Sequence, residues 1–263
     1  MNEATKEKIR TIIRGKIEPI LQRKIKEWPQ KKAELLEKNP FGSRLVPDEI
    51  WKSSAFERSF VTTFGQNVYE QVAREIALGS ESCIESSIQY RKNIRINQFQ
   101  DSKIYDILAS QRSAASVKNP DWEKEISEIK SLSTRAHIDV ESLFDLYVKR
   151  KDGTEEFYSL KTVQPNLDQI EITKANMMRM SVGNENARTY IALYYNPFGE
   201  GNLYTRTLGN KLFDWNNSSA VLIGSSFWNT VGQDSRTYEK FIEILNELSE
   251  EYINRIRDEY LSL

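Results

Sequence analysis

Cysteine, histidine and long apolar runs are scarce in this sequence, and each scarcity excludes a class of protein. The 263 residues include one cysteine and one histidine. One cysteine excludes an intrachain disulfide and cysteine-based zinc sites, and one histidine excludes the paired histidines of zincins and di-iron proteins. No apolar run reaches about 18 residues and no signal-peptide core is present, so we expect a cytoplasmic protein. Enzyme chemistry would depend on carboxylates, lysine, hydroxyl groups and a hard metal ion.

An excess of one charge sign is also missing. The 37 Lys and Arg residues nearly balance the 38 Asp and Glu residues, which excludes a uniformly basic protein of the histone type. The charges are nevertheless uneven: residues 1–40 hold 11 basic and 6 acidic side chains, residues 90–118 hold 6 and 2, and residues 234–263 hold 4 and 8. A basic front and an acidic end indicate one surface for an anion, and solvated helix faces are the alternative interpretation.

Hydrophobic periodicity predicts an α/β fold with a mixed central sheet flanked by helices and a helical N-terminal region. No Gly/Ser/Pro-rich linker interrupts the chain, so we expect one domain over residues 1–263, with an N-terminal elaboration over 1–45 and a core over 46–263. Pro19 and Pro29 are expected to kink or divide the first helix. The predicted helices span 3–38, 47–78, 169–180 and 237–260, and the predicted strands span 144–150, 156–163, 189–195 and 220–226.

The first two predicted strands form a hairpin around Lys151-Asp152-Gly153. A three-residue loop pairs Arg150 with Thr154 and therefore places Asp145 opposite Ser159. Because side chains alternate along a strand, Asp145, Ser159 and Lys161 project from one face. The opposite face carries apolar side chains that can pack on a core: Leu146, Val148, Tyr158 and Leu160. The alternative is an ordinary cross-strand Asp–Lys pair, worth up to ~1 kcal/mol.

This hairpin resembles the core of the PD-(D/E)XK nucleases, with Ser159-Leu160-Lys161 in the place of (D/E)-x-K. A more specific resemblance, to TdeIII/MjaII-type type II restriction endonucleases, covers most of the chain from about residue 50. It rests on Phe56-Glu57-Arg58-Ser59-Phe60, Phe64-Gly65-Gln66, Tyr69-Glu70, Tyr158 to Asn166 (YSLKTVQPN), Tyr194-Tyr195-Asn196-Pro197-Phe198, Phe213-Asp214-Trp215, Ile223 to Trp228 (IGSSFW) and Thr237-Tyr238-Glu239.

The resemblance implies a role for each residue that matches the family pattern. Asp145 would bind Mg²⁺, Leu160 would offer its backbone carbonyl to the metal, and Lys161 would be the catalytic lysine. Ser159 stands where the second carboxylate usually stands. In a subgroup of restriction enzymes this carboxylate has moved to the following helix, and Glu171 is the best candidate for it here. A capping box with Asp168 is the equally weighted alternative for Glu171.

Three acidic residues of the second helix are further candidates for the site. At 100° per residue, Glu57 and Glu75 lie near the centre of the apolar face, whereas Glu70, which matches the family pattern better, lies opposite. Arg91, Lys92 and Arg95 are candidate DNA-binding residues in a segment that also carries amides, and a plain surface segment is the alternative. We expect Trp215, Phe227 and Trp228 to be core residues rather than base-stacking platforms.

The resemblance therefore implies a Mg²⁺-dependent, sequence-specific endonuclease that cuts duplex DNA and leaves 5′-phosphate ends. It also implies a C2 homodimer on a palindromic site, a bacterial or archaeal host, and a cognate DNA methyltransferase as genetic partner. Two alternatives stay open. One is another nuclease on the same core, of the repair or junction-resolving type, and the other is a catalytically inactive DNA-binding module.

Overall fold

The computed structural model describes residues 1–113, 120–206 and 209–262. Lys118, part of the predicted basic segment, lies outside these ranges. The chain forms two compact units, Met1–Glu75 with Glu239–Leu263, and Ile76–Tyr238. The prediction of a single domain stays a prediction.

Within the described ranges the helices and strands follow the chain in a fixed order. They are α1 (Glu3–Lys38), α2 (Gly42–Leu45), α3 (Asp48–Thr63), a π-helical segment (Phe64–Val68), α4 (Tyr69–Leu78), β1 (Cys83–Asn97), α5 (Gln98–Ser113), α6 (Trp122–Lys130), β2 (His137–Arg150), β3 (Glu155–Lys161), α7 (Leu167–Gly183), β4 (Ala187–Leu193), β5 (Val221–Ile223), α8 (Ser225–Gly232), α9 (Thr237–Arg255) and a second π-helical segment (Ile256–Leu261).

Helix α1 is continuous from end to end. Asn2 caps it, since its side chain accepts a hydrogen bond from the Thr5 N–H at 2.9 Å. Pro19 and Pro29 lie inside the helix and do not divide it. The predicted apolar stripe is confirmed by its buried members, which include Ile9, Ile13, Ile17, Ile20 and Leu21.

The second predicted helix is interrupted by a π-helical segment, and this changes which of its side chains face inward. A π-helical turn contains more residues than an α-helical one, so a 100° step does not carry the helical phase from Val68 back to Glu57. Glu57 is exposed and Glu70 is 7 % exposed, so both orientations predicted at 100° per residue are wrong. Glu75 is confirmed as inward-facing, with 12 % of its side chain exposed. The helix ends at Leu78, and Gly79 follows it as predicted.

The predicted mixed sheet is confirmed, with five strands described in the order β1-β2-β3-β4-β5. Strands β1, β2 and β3 pair antiparallel, whereas β3, β4 and β5 pair parallel. The hairpin register is also confirmed, because Leu146 pairs with Tyr158 and Val148 with Glu156. Gly153 closes the turn at φ +89, the left-handed conformation that the loop prediction required.

The two faces of the sheet are apolar, as the pattern predicted. Leu146, Val148, Tyr158 and Leu160 are buried. Trp215 belongs to the main core cluster, and Phe227 and Trp228 are fully or almost fully buried, which confirms them as core residues. No helix in the described residues combines the length and apolarity needed to cross a membrane.

Candidate active site

Asp145 and Lys161 meet at the end of the hairpin that lies away from its turn. Lys161 Nζ lies 3.4 Å from Asp145 Oδ2, and it donates a hydrogen bond to the Leu160 carbonyl at 3.1 Å. The Lys161 and Asp145 side chains are 20 % and 22 % exposed. They are thus accessible to a ligand and partly shielded from water, which strengthens their electrostatic effect on it.

The sheet topology places this pair at an edge where ligands commonly bind. Lys161 is the last residue of β3 and pairs with Leu193 of β4, which in turn pairs with Ile223 of β5. These three strands are parallel, so their carboxyl ends meet at one edge. Ligands of open α/β sheets bind outside such carboxyl ends.

A backbone hydrogen bond fixes the orientation of the Asp145 carboxylate. The Leu160 N–H donates to Asp145 Oδ2 at 2.7 Å. The Leu160 carbonyl and the same Asp145 oxygen both lie within 3.4 Å of Lys161 Nζ. The predicted grouping of Asp145, Leu160 and Lys161 is therefore present, and it brings together two hard oxygen donors and one ammonium group.

Ser159 does not add a carboxylate to this group. It is 4 % exposed, and the hairpin register places it across from Asp145. A hydroxyl can orient water or a neighbouring side chain, but it carries no charge with which to hold a cation.

Gln89 contacts the same carboxylate and was missed by the sequence analysis. Its Nε2 lies 3.4 Å from Asp145 Oδ1, and its φ is +50 within β1. A left-handed residue other than glycine costs about 1–3 kcal/mol and persists only where the surroundings enforce it. The apolar residues at alternate positions of β1 (Ile88, Tyr90, Ile94 and Ile96) were the signal that could have revealed this strand.

Glu171 lies in the first turn of α7 and is held by Arg112 of α5. Arg112 donates to Glu171 and, at 2.6 Å, to Asp168. The N-cap is Asn166, whose side chain accepts from the Gln169 N–H at 2.8 Å, so the capping-box interpretation of Asp168 and Glu171 is wrong. Asn166 caps the helix because it stands one residue before α7, whereas Asp168 lies inside it.

Metal-binding capacity at the hairpin is limited to few groups. No cluster of three or more His, Cys, Asp or Glu suited to a metal occurs among the described residues. Asp145 and the Leu160 carbonyl still fit a hard divalent cation, since Mg²⁺ usually binds through one or two carboxylates, water and substrate phosphate. Glu57, Glu70 and Glu75 belong to the first compact unit, and their roles stay predictions.

The three candidate DNA-binding residues lie on β1. Arg91 forms an ion pair with Glu141 at 2.5 Å, and Lys92 forms one with Glu155 at 2.5 Å. Arg95 is exposed and has no ion-pair partner in the described part of the chain. Of the three, Arg95 is therefore available to a phosphate or a base without breaking an existing pair.

Known proteins resemble this chain over most of its length. The family model described as "Type II restriction endonuclease, HinfI" matches residues 5–249. The type II restriction enzyme HgiCII of Herpetosiphon aurantiacus is 28 % identical over 265 residues, which cover 94 % of each chain. HgiBI of the same organism is 26 % identical over 264 residues, again 94 % of each chain. HgiEI, also from that organism, is 27 % identical over 214 residues, 80 % of this chain and 76 % of its own.

Proposed function

The chain belongs to the HinfI family of type II restriction endonucleases, and from this premise we propose that Asp145 and Lys161 form its DNA-cleaving site. The class implied by the sequence resemblance is thereby confirmed. Membership of the PD-(D/E)XK superfamily and a specific likeness to the TdeIII/MjaII-type family stay proposals. The observation that carries the assignment is the convergence of Asp145, the Leu160 carbonyl and Lys161 at the carboxyl end of β3.

Mg²⁺ is the cofactor we propose, held by Asp145 and the Leu160 carbonyl. When bound, it would polarise the scissile phosphate and lower the pKa of water. The Leu160 N–H keeps Asp145 oriented toward the strand end. Glu171 is the proposed second carboxylate, and its use would require Arg112 to release it. Glu57, Glu70 and Glu75 are proposed as alternatives.

Lys161 would act on the phosphate and the attacking water. Its ammonium group can donate hydrogen bonds to a non-bridging phosphate oxygen and orient the water for in-line attack on phosphorus. As the new P–O bond forms, the bond from phosphorus to the 3′ oxygen breaks. The products are a 3′-hydroxyl and a 5′-phosphate.

DNA contacts and assembly are proposed on the same basis. Arg91, Lys92 and Arg95 would contact the duplex, with Arg95 already unpaired among the described residues and the other two exchanging a carboxylate for a phosphate. A palindromic target would be matched by a C2 homodimer, because protein symmetry mirrors site symmetry. A cognate methyltransferase would protect the host DNA.

A digest of a sequenced plasmid tests the proposed function. We expect discrete fragments in the presence of Mg²⁺, no fragments in EDTA, and 5′-phosphorylated ends that map to one repeated sequence. Sedimentation of the protein on a duplex containing that sequence would give two chains per site. A random smear of fragments would contradict site-specific cleavage.

One observation favours a second candidate, a DNA-binding module without cleavage activity. The hairpin supplies a single carboxylate, and Ser159 replaces the other. Specific retention of plasmid fragments without any cut, across several divalent cations, would support the module and overturn the cleavage site.

A further inference from the structure

A cavity between α1 and α3, within the first compact unit, carries an excess of positive charge. Its volume is about 490 Å³. Four cationic side chains line it: Lys24, Lys31, Lys38 and Arg58. The carboxylate in the lining is Glu34, which already accepts a hydrogen bond from Lys38 at 3.4 Å. The cavity therefore presents more positive than negative charge to whatever enters it.

Lys24 is the most unusual of these cations. It is 5 % exposed, and no carboxylate of the described residues lies within ion-pair distance of it. Burial, followed by repulsion from Lys31 and Arg23, lowers the pKa of Lys24 to about 8, although Glu27 acts weakly in the opposite direction. Buried charges in proteins are normally paired. An unpaired buried ammonium group that lines a cavity points to an anion as its partner.

Two further donors lack a partner at the same cavity. Trp51 Nε1 is buried and finds no hydrogen-bond acceptor in the described part of the chain. Arg58 is exposed and has no ion-pair partner among the described residues. An ammonium, a guanidinium and an indole N–H can all donate hydrogen bonds and cannot accept them. A ligand that satisfies them must offer several acceptor oxygens and negative charge.

We propose that this cavity binds a phosphate group, with Lys24, Arg58 and the Trp51 indole N–H as its donors. A tetrahedral phosphate supplies several acceptor oxygens and one or two negative charges, which matches this donor set. The phosphate belongs either to a DNA backbone or to a free nucleotide. Only the DNA source rests on the proposed restriction function.

The test uses the full chain in EDTA, so that no cleavage takes place. Inorganic phosphate and adenosine monophosphate are titrated by calorimetry, and a short duplex of arbitrary sequence is titrated by fluorescence anisotropy at several salt concentrations. Lys24→Met and Arg58→Met each remove one charge from the cavity. Trp51→Phe keeps an aromatic ring and removes the N–H. Lys26→Met is the matched control, since Lys26 is an exposed lysine of the same helix and does not line the cavity.

We expect the three cavity variants to bind at least tenfold more weakly than the wild type, and Lys26→Met to bind normally. Weaker duplex binding, with the slope of log K against log salt reduced by about one per removed cation, identifies the DNA backbone as the source. Weaker binding of phosphate or nucleotide alone identifies a small phosphate compound. The proposal is overturned if the cavity variants match Lys26→Met for every ligand, or if the wild type binds none of them. Because no cleavage is measured, a chain that never cuts DNA would leave this result unaffected.

Discussion

Gln89 shows how the site depends on a single strained residue. Its left-handed φ of +50 turns the side chain toward Asp145 Oδ1, 3.4 Å from Nε2. No turn signal in the sequence marks this position, because glutamine is not a residue that favours positive φ. The carboxylate and the lysine could be predicted from the hairpin register, whereas the residue that orients the carboxylate required the coordinates of β1.

Gln89→Gly separates orientation of the carboxylate from strain. Glycine adopts positive φ without penalty, so we expect the melting temperature to be kept or raised. Loss of one hydrogen bond, about 1.4 kcal/mol, would lower kcat about tenfold with little change in KM. Steady-state cleavage and thermal unfolding check both expectations, and a wild-type kcat would show that Gln89 does not position Asp145.

Glu171 and Asp168 provide a matched pair, because Arg112 binds both carboxylates. If Glu171 is a metal ligand, Glu171→Gln raises the Mg²⁺ concentration needed for half-maximal cleavage at least about tenfold. Asp168→Asn also weakens the contact with Arg112 and leaves that concentration unchanged. Equal Mg²⁺ dependence of the two variants would remove Glu171 from the metal site.

At the scale of elements, turn chemistry made the β2–β3 hairpin predictable, and its register depends on it. The Arg150 N–H donates to the Thr154 carbonyl at 2.8 Å, and the Gly153 N–H donates to Arg150 at 3.1 Å. Gly153 at φ +89 completes the loop. Once the loop length is fixed, the positions of Asp145 and Lys161 follow by counting.

Gly153→Ala tests the role of this turn. Open space surrounds the glycine, so a methyl group meets no atom and only the backbone conformation is penalised. We expect a loss of about 1–2 kcal/mol in the free energy of unfolding. Gly15→Ala is the control, since Gly15 also has open space but lies within α1, where alanine stabilises by about 0.5–1 kcal/mol. Equal effects of the two changes in denaturant unfolding would contradict a strained turn.

Other elements could not be predicted as well, for identifiable reasons. Strand β1 carries charged and amide side chains on one face, so it resembled a surface segment. The π-helical segment Phe64–Val68 shifts the helical phase, which misplaced Glu57 and Glu70. A local backbone irregularity of this kind leaves no clear mark in residue type.

Lys24 gives helix α1 a predictable response to pH. The folded-state pKa of about 8 lies below the ordinary value of 10.5, so the unfolded chain binds more protons between these values. The free energy of unfolding therefore rises as pH increases across that window. We expect Lys24→Met to be more stable than the wild type near pH 7, with a difference that shrinks toward pH 10, and Lys26→Met to show no such trend. A constant difference across denaturation curves at several pH values would contradict an unpaired buried lysine.

At the scale of the whole molecule, composition restricted the chemistry before any motif was considered. One histidine and one cysteine left carboxylates, lysine and a hard metal as the means of catalysis. The balanced total charge concealed a basic N-terminal segment, part of which lines the cavity that holds Lys24. Family membership supports the same function, whereas the identity of the metal and the assembly of the protein depend on groups outside a single chain.

The central claim is that Asp145 and Lys161 cut DNA, and single-turnover cleavage of a duplex carrying the mapped site tests it most directly. Asp145→Asn and Lys161→Ala are compared with Lys151→Ala, which removes an exposed lysine from the hairpin turn. We predict a loss of about 10³-fold in cleavage rate for the first two variants, with duplex binding retained, and a normal rate for the third. Wild-type cleavage by Asp145→Asn or Lys161→Ala would contradict the account.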